Sequence, residues 1–502
     1  MKRKLSILFS VSEAAPFVKE GGLGDVAGSL PRALKTRGHD VRIVLPRYYA
    51  IDRDLHNLKP LPGTLVVPMG IIGDMYCSVY EGVLPDSGVP VYFLEHESFY
   101  GRAGVYGSDN EGFRDNDNRF VFLARATLEL CRMLDFTPDL IHAHDWHTAA
   151  VPIFMNTLYR HDPYVGDAAS VLSLHNLQHQ GNFYPGLMDV LGIGWEHFTH
   201  LELEKDNQTN LLKGGIQHAT KISTVSEGYS REIQTPEFGW GLEGVIRERV
   251  GDLVGILNGV DYAEWDPGSD PFIPAHYSSV DLSGKGVCKQ ELQRRFGLPK
   301  RSDTPVFGIV SRLVNQKGIN VLAAAIHRIL ELDLQIVLLG SGEPWTHFYF
   351  SDIAARYPDK FRCHIGFSNP LAHLIEAGSD FFLMPSAFEP CGLNQMYSLR
   401  YGTIPVVRAV GGLNDSVENF DERTLTGTGF KFRALTPDAL VDTVGWAVWS
   451  WYQNKPGIAA LIKSGMARRF TWEKAAERYE ELYYWAVEKK LGWEEFNKRF
   501  PE

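Results

Sequence analysis

Short apolar runs alternate with segments of helical periodicity along most of the chain. "LSILFSV" (5–11) predicts a buried strand, and Asp25–Arg37 predicts a helix with Val26, Leu30, Ala33 and Leu34 on one face. Pro31 lies inside that pattern, so a kink or a short first helix is expected. Gly38 ends it and "VRIVL" predicts the next strand, with further strands expected at "LIHAH", "SVLSLH" and "KISTV". The pattern fails over "GILNGVDYAEWDPGSDPFIPAHY" (255–277), which is rich in Gly, Pro and Asp and reads as a linker. It then resumes with strands at "PVFGIVS", "LQIVLLG", "DFFLMPS" and "IPVVRA", and helices at "INVLAAAIHRIL" and "LNQMYSLRY". The chain closes on an amphipathic helix beginning at "WEKAAERYEELYYWAVEKK". This rhythm predicts the α/β class: two Rossmann-like, doubly wound parallel-sheet domains, residues 1–255 and 256–470, with a cleft between them. Residues 471–502 are expected to be a helix crossing back to the first domain.

Composition narrows the partners. The 502 residues carry a net charge of −11, which excludes a general electrostatic hold on nucleic acid, so an anionic substrate must be met by local cations. Five cysteines lie far apart with no CxxC pair, which argues against a disulfide framework or a zinc ribbon and suits a reducing, cytoplasmic compartment. The start "MKRKLSILFSVSEAA" resembles a signal peptide, but its apolar run is short and Glu13 interrupts the cleavage region. A buried first strand is the better reading. No stretch approaches the roughly 20 apolar residues of a membrane-spanning helix, so no membrane partner is expected.

Several stretches carry candidate chemistry. In "KEGGLGDVAG" the glycines follow a strand and open a helix, where bare backbone and a helix N-terminus receive phosphate. Lys19 and Asp25 flank them. The spacing is wrong for a dinucleotide-binding G-x-G-x-x-G, and no acidic residue follows the second strand; a tight structural turn stays open as the alternative. "HAHDWH" (142–147) offers three histidines and Asp145, but its spacing departs from the familiar dinuclear-zinc pattern and no second cluster supplies further ligands. A strand end lining a site is favoured over metal binding. His175 lies at another expected strand end. Arg312 and Lys317, five apart after a strand, fit a diphosphate, one as a planar fork and the other as a point charge. Glu389 falls on a strand-to-helix loop, and "GGLNDS" repeats that arrangement one strand later. A carboxylate there suits sugar hydroxyls rather than phosphate, and Cys391 lacks an assigned histidine partner for a nucleophile.

Taken together, the chain resembles the glycogen and starch synthases, retaining glucosyltransferases of the GT-B fold. The resemblance runs over nearly the whole chain through "KEGGLGDV", "HAHDWH", "HNLQHQGNF", "TVSEGYSREI", "GLEGVIRER", "GILNGVD", "SRLVNQKG", "FEPCGLNQ" and "GGLNDS", in the family's order. It implies transfer of glucose from a nucleotide sugar, usually ADP-glucose, to the non-reducing end of an α-1,4-glucan, with no cofactor and no metal. A different nucleotide-sugar donor, such as UDP-glucose, or a different acceptor is the alternative. By matching motifs, Lys19 and Gly22 would contact donor phosphate and sugar, and Asp25 would address hydroxyls or acceptor. Arg312 and Lys317 would hold the diphosphate. Glu389, Cys391 and Gly392 would line the glucose pocket, with Asp145, His175, Asn176 and Asn258 facing the reaction centre. The family commonly has arginine where Ala387 stands, and often tyrosine at the nucleobase-stacking position, here Phe367. The base is therefore less determined than the reaction class.

Overall fold

The computed structural model describes residues 4–108 and 111–500. It divides into two compact units: one holds the chain up to Val225, Ser230–Gly259 and everything from Trp472 onward; the other holds Ser226–Tyr229 and Val260–Thr471. Beyond Gly255, residues 256–277 form no regular helix or strand, and the boundary at Gly259 falls inside them.

The first unit is built on a ten-stranded sheet. Its strands are β1 (Ser6–Ser10), β2 (Asp40–Pro46), β3 (Lys59–Pro60), β4 (Leu65–Pro68), β5 (Asp74–Leu84), β6 (Val89–Glu95), β7 (Leu140–His144), β8 (Ala169–Leu174), β9 (Lys221–Thr224) and β10 (Leu253–Gly255). They lie in the order β10-β9-β8-β7-β1-β2-β6-β5-β3, with β4 on β5. From β10 to β6 all pairings are parallel, whereas β3, β4 and β6 pair antiparallel with β5. β1 is central, and Ile7, Leu8 and Phe9 are buried, as a strand covered on both faces requires. The antiparallel edge was not legible in the periodicity, because β5 alternates buried and exposed positions only imperfectly.

Helix α1 (Gly22–Thr36) joins β1 to β2. It starts three residues before the apolar pattern does, since glycines carry no periodic signal, and it runs on through Pro31. α2 (Asn116–Met133) is buried on nearly every side, which erases the amphipathic stripe and explains why the sequence did not reveal it. α3 (Asp145–Thr148) begins directly at the carboxyl end of β7, and α4 (Leu211–His218) is capped by the Asn210 side chain, which accepts from the Lys213 N–H.

The second unit has a six-stranded, all-parallel sheet. Its strands are β11 (Val306–Val310), β12 (Gln335–Gly340), β13 (Phe361–Ile365), β14 (Phe381–Met384), β15 (Ile404–Arg408) and β16 (Phe430–Phe432), in the order β13-β12-β11-β14-β15-β16. The order reverses beside β11, where the β11 and β14 loops leave the sheet in opposite directions along it. That is the position at which open α/β sheets collect ligands. α5 (Ile319–Ile329), α6 (Asn394–Arg400) and α7 (Gly411–Ser416) follow β11, β14 and β15. Finally α8 (Trp472–Leu491) packs in the first unit. There Tyr483 Oη bonds His142 Nδ1 at 2.8 Å, and Glu480 receives Arg37 and His39. Among the described residues no helix is long and apolar enough to cross a membrane.

Candidate active site

In the first unit, the glycine loop is held by Glu13, which in the sequence stood out only as the interruption of a signal-peptide-like start. Glu13 Oε2 accepts from the backbone N–H groups of Glu20 (2.5 Å) and Gly21 (2.9 Å), and Oε1 accepts from Tyr106 Oη at 3.0 Å. Burial pushes the Glu13 carboxyl above its ordinary range despite these bonds. Only the three-dimensional structure brings Tyr106 to Glu13. The glycines differ in their reasons. A Cβ on Gly28 would lie 2.5 Å from the Ala15 carbonyl oxygen, so Gly28 is demanded by packing. A Cβ on Gly22 would meet nothing within 4 Å, so the fold leaves open space there. Lys19 Nζ reaches Asp25 Oδ1 at 2.7 Å, which joins the two flanking charges across the loop.

The histidine-rich segment separates into two roles. His142 is structural: its ring nitrogens meet Ser173 Oγ at 2.7 Å and Tyr483 Oη at 2.8 Å. His144 Nδ1 lies 3.0 Å from His175 Nε2, with the rings stacked. Burial holds both imidazoles neutral, His144 well below its usual value and His175 down to about 4. Asp145 adopts a left-handed backbone (φ 51°), a strained conformation for a non-glycine residue. This turns its carboxylate across to β8, where Oδ1 accepts from the N–H groups of His175 (2.7 Å) and Asn176 (3.4 Å). Burial raises the Asp145 carboxyl to about 7. Asp145, His175 and Asn176 therefore converge at the carboxyl ends of two adjacent parallel strands. Among the described residues this segment does not gather its donor atoms on one point as a metal requires. Asn258 is buried, and its Oδ1 has no hydrogen-bond partner among the described residues.

In the second unit, Lys317 closes the turn between β11 and α5. Gly318 follows at φ 70°, and a Cβ there would stand 1.9 Å from the Pro385 carbonyl oxygen, so the loop after β11 lies tight against the loop after β14. The contact delivers Lys317 Nζ to both oxygens of Glu389, at 2.8 and 2.7 Å. Glu389 is 5% exposed, and Ser386 Oγ adds a third donor at 3.0 Å. Arg312 is exposed and touches only Gln316 Oε1, at 3.1 Å, among its described hydrogen bonds. The Glu389 carbonyl accepts from the Gly412 N–H at 3.1 Å, and a Cβ on Gly412 would sit 2.1 Å from the Cys391 carbonyl oxygen. Gly392 has φ 72°, which places the chain so that α6 starts two residues later, at Asn394. Ala387 is fixed by its backbone, its N–H donating to Gln316 O and its carbonyl accepting from Arg408. Phe367, on the loop after β13, is 89% exposed. None of the five cysteines forms a disulfide.

Segment 226–229 was legible as part of a motif but not as a piece of the second unit. Ser226 Oγ donates to the Pro390 carbonyl at 2.6 Å, and the Gly228 N–H donates to Asp415 Oδ2 at 2.6 Å, so these residues belong to the second unit.

The starch synthase catalytic-domain family matches residues 6–248, and the glycosyl transferases group 1 family matches residues 290–453. The chain is 66% identical to Glycogen synthase 1 of Geobacter metallireducens over 99% of both chains. The chain belongs to the glycogen synthase family. A Treponema denticola glycogen synthase is 45% identical over 97% of this chain and 100% of that protein. Among solved structures, the catalytic domain of starch synthase IV from Arabidopsis thaliana, bound to ADP and acarbose, superposes with a TM-score of 0.88 at 34% identity, over 96% of this chain and 99% of that one. The two units thus have the GT-B fold, and this glycogen synthase family member is a glycosyltransferase.

Proposed function

We propose that the protein transfers glucose from ADP-glucose to the non-reducing end of an α-1,4-glucan with retention of anomeric configuration. The observation that carries this reading is the pair of cations on the loop after β11, Arg312 and Lys317, of which Lys317 is fastened to a buried carboxylate, Glu389, on the neighbouring loop. A diphosphate leaving group needs fixed positive charge at its oxygens. A glucosyl group needs acceptors for its hydroxyls. The two neighbouring loops supply both.

In this reading Arg312 grips the diphosphate with its planar fork while Lys317 stabilises the charge that develops as the sugar–phosphate bond breaks. Because Lys317 is pre-aimed by Glu389, little reorganisation is needed when the charge appears. Glu389 and the backbone around Cys391 and Gly392 take the glucose hydroxyls. Phe367, exposed and flat, stacks on the nucleobase. In the first unit, Gly22 lets backbone approach donor phosphate and sugar, with Lys19 and Asp25 beside it. The carbonyl of His175, whose N–H is bonded to Asp145, faces the positive charge of an oxocarbenium-like glucosyl group. Asn176 and Asn258 supply further polar contacts, and the unpartnered Asn258 Oδ1 is a natural acceptor. No cofactor or metal is assigned, since Arg312 and Lys317 perform the charge neutralisation.

The test is radiolabel transfer from ADP-glucose and UDP-glucose, in parallel, to maltooligosaccharides of graded length. Elongation from ADP-glucose with the α-linkage preserved is expected. Preferential use of UDP-glucose would overturn the donor assignment, and hydrolysis without elongation would overturn the acceptor assignment.

A further inference from the structure

Away from the residues assigned above, His197, Glu202 and His218 bring three ligand-type atoms together. His197 Nδ1 lies 2.6 Å from Glu202 Oε2, and His218 Nε2 lies 3.1 Å from the same oxygen. All three atoms fall within 4.8 Å of one another, and this is the one such group among the described residues. The three come from two pieces of backbone. His197 closes a short turn (Trp195–His197), Glu202 follows five residues later, and His218 is the last residue of α4.

Two imidazoles meeting one carboxylate oxygen can be a hydrogen-bonded knot, but the donor set is also that of a transition-metal site. Two nitrogens and one oxygen suit Zn²⁺, which takes ligands at roughly 2.0–2.2 Å in tetrahedral geometry. That geometry sets ligand atoms about 3.3 Å apart, so the His218 separation must open by about 0.2 Å and the His197 separation by about 0.7 Å to admit an ion. The rings lie 6.1 Å apart between centroids, tilted by 62°, rather than stacked face to face, so both nitrogens can address a common point. Arg249 is close enough to oppose a charge on His218, but its guanidinium is committed to the Ile216, Gln217 and Ala219 carbonyls and to Asp252. The supporting frame is rigid: Lys213 Nζ grips the carbonyls of His200 and Glu204 at 2.5 Å each, and Asn156 Nδ2 holds the His218 carbonyl at 2.6 Å. Glu202 stays about one-third exposed, which leaves an approach for the ion from solvent.

We propose that His197, Glu202 and His218 form a binding site for a zinc-type divalent ion that staples the 195–204 segment to the carboxyl end of α4. The site is structural. His218 is separated from Leu211, which bonds Gly181 at the other end of α4, by about 10 Å of helix. Calcium and magnesium, which prefer oxygen ligands, are not expected to bind.

Metal-free full-length protein titrated with Zn²⁺ should bind one ion with a dissociation constant below about 1 μM, whereas Mg²⁺ should give no heat at the same concentrations. Co²⁺ should develop the intense visible bands of a tetrahedral site. Glu202→Gln and His218→Ala should each weaken zinc binding at least about 100-fold, with transferase activity unchanged. Saturating zinc should raise the apparent Tm of the wild type but not of the variants. Anomalous scattering from a zinc-soaked crystal locates the ion even where a variant fails to fold. Absence of stoichiometric binding by the wild type, an ion found elsewhere, or folded variants binding as tightly as the parent would each overturn the proposal.

Discussion

Replacing Lys317 by alanine separates two roles that the Lys317–Glu389 pair combines. Glu389 is 5% exposed, and losing Lys317 leaves it with the Ser386 hydroxyl and little else. Removing one member of a fully buried pair costs about 3–5 kcal/mol. The Lys317 side chain is 20% exposed, so water already screens part of the interaction and a value just below that range, about 2–3 kcal/mol, is appropriate. For a folding unit of this size that corresponds to a fall in apparent Tm of roughly 5–10 °C. If Lys317 also stabilises the departing diphosphate, turnover falls about 100- to 1000-fold, the range for deleting one preorganised donor. The double variant Lys317→Ala/Glu389→Gln distinguishes the two effects. A neutral amide at 389 removes the stranded charge, so stability returns to within about 1 kcal/mol of the parent, whereas turnover stays low. Urea unfolding and initial rates of glucosyl transfer at saturating donor, measured on the parent, Lys317→Ala, Glu389→Gln and the double variant, read both quantities. Recovery of turnover together with stability in the double variant would refute the reasoning: Lys317 would then serve only to neutralise Glu389.

The glycine loop yields a paired prediction. Gly22→Ala should leave Tm within about 2 °C of the parent while lowering kcat/KM at least about tenfold, because a Cβ there meets no protein atom; Gly28→Ala should lower Tm by several degrees, since its Cβ would strike Ala15, and the opposite ranking would break the argument. Phe367→Ala should raise the donor KM about 2- to 10-fold with kcat little changed, the worth of one aromatic stack, and Phe367→Tyr should restore it. The pH dependence of stability has a definite sign. His142, His144 and His175 are neutral when folded but protonated when unfolded below about pH 6, so each makes stability fall by about 1.4 kcal/mol per pH unit on acidification. Asp145, raised to about 7, holds its proton when folded and releases it when unfolded above about pH 4, so it opposes one of them. Asp145→Asn should therefore steepen acid destabilisation between pH 4.5 and 6 by about 1.4 kcal/mol per pH unit, and an unchanged or shallower slope in urea titrations would count against the burial of that carboxyl.

The amino-acid order determined the α/β alternation, the break near Gly259 and the strand-end positions of Asp145, His175, Arg312, Lys317 and Glu389. It did so because parallel strands are continuous apolar runs and polar residues immediately after them are conspicuous. Local pattern could not show α2, whose burial on almost all sides removes its periodicity, nor the antiparallel edge strands. It also could not show which residues meet. Lys317 and Glu389 are 72 positions apart and are paired only because β11 and β14 are neighbours in the sheet. Glu13 reaches Tyr106, 93 positions away, and Asp145 turns to His175 through a single left-handed residue. Residue types and their places at strand ends are written locally; the pairings that set their charge and aim depend on strand order, which only the packed chain decides.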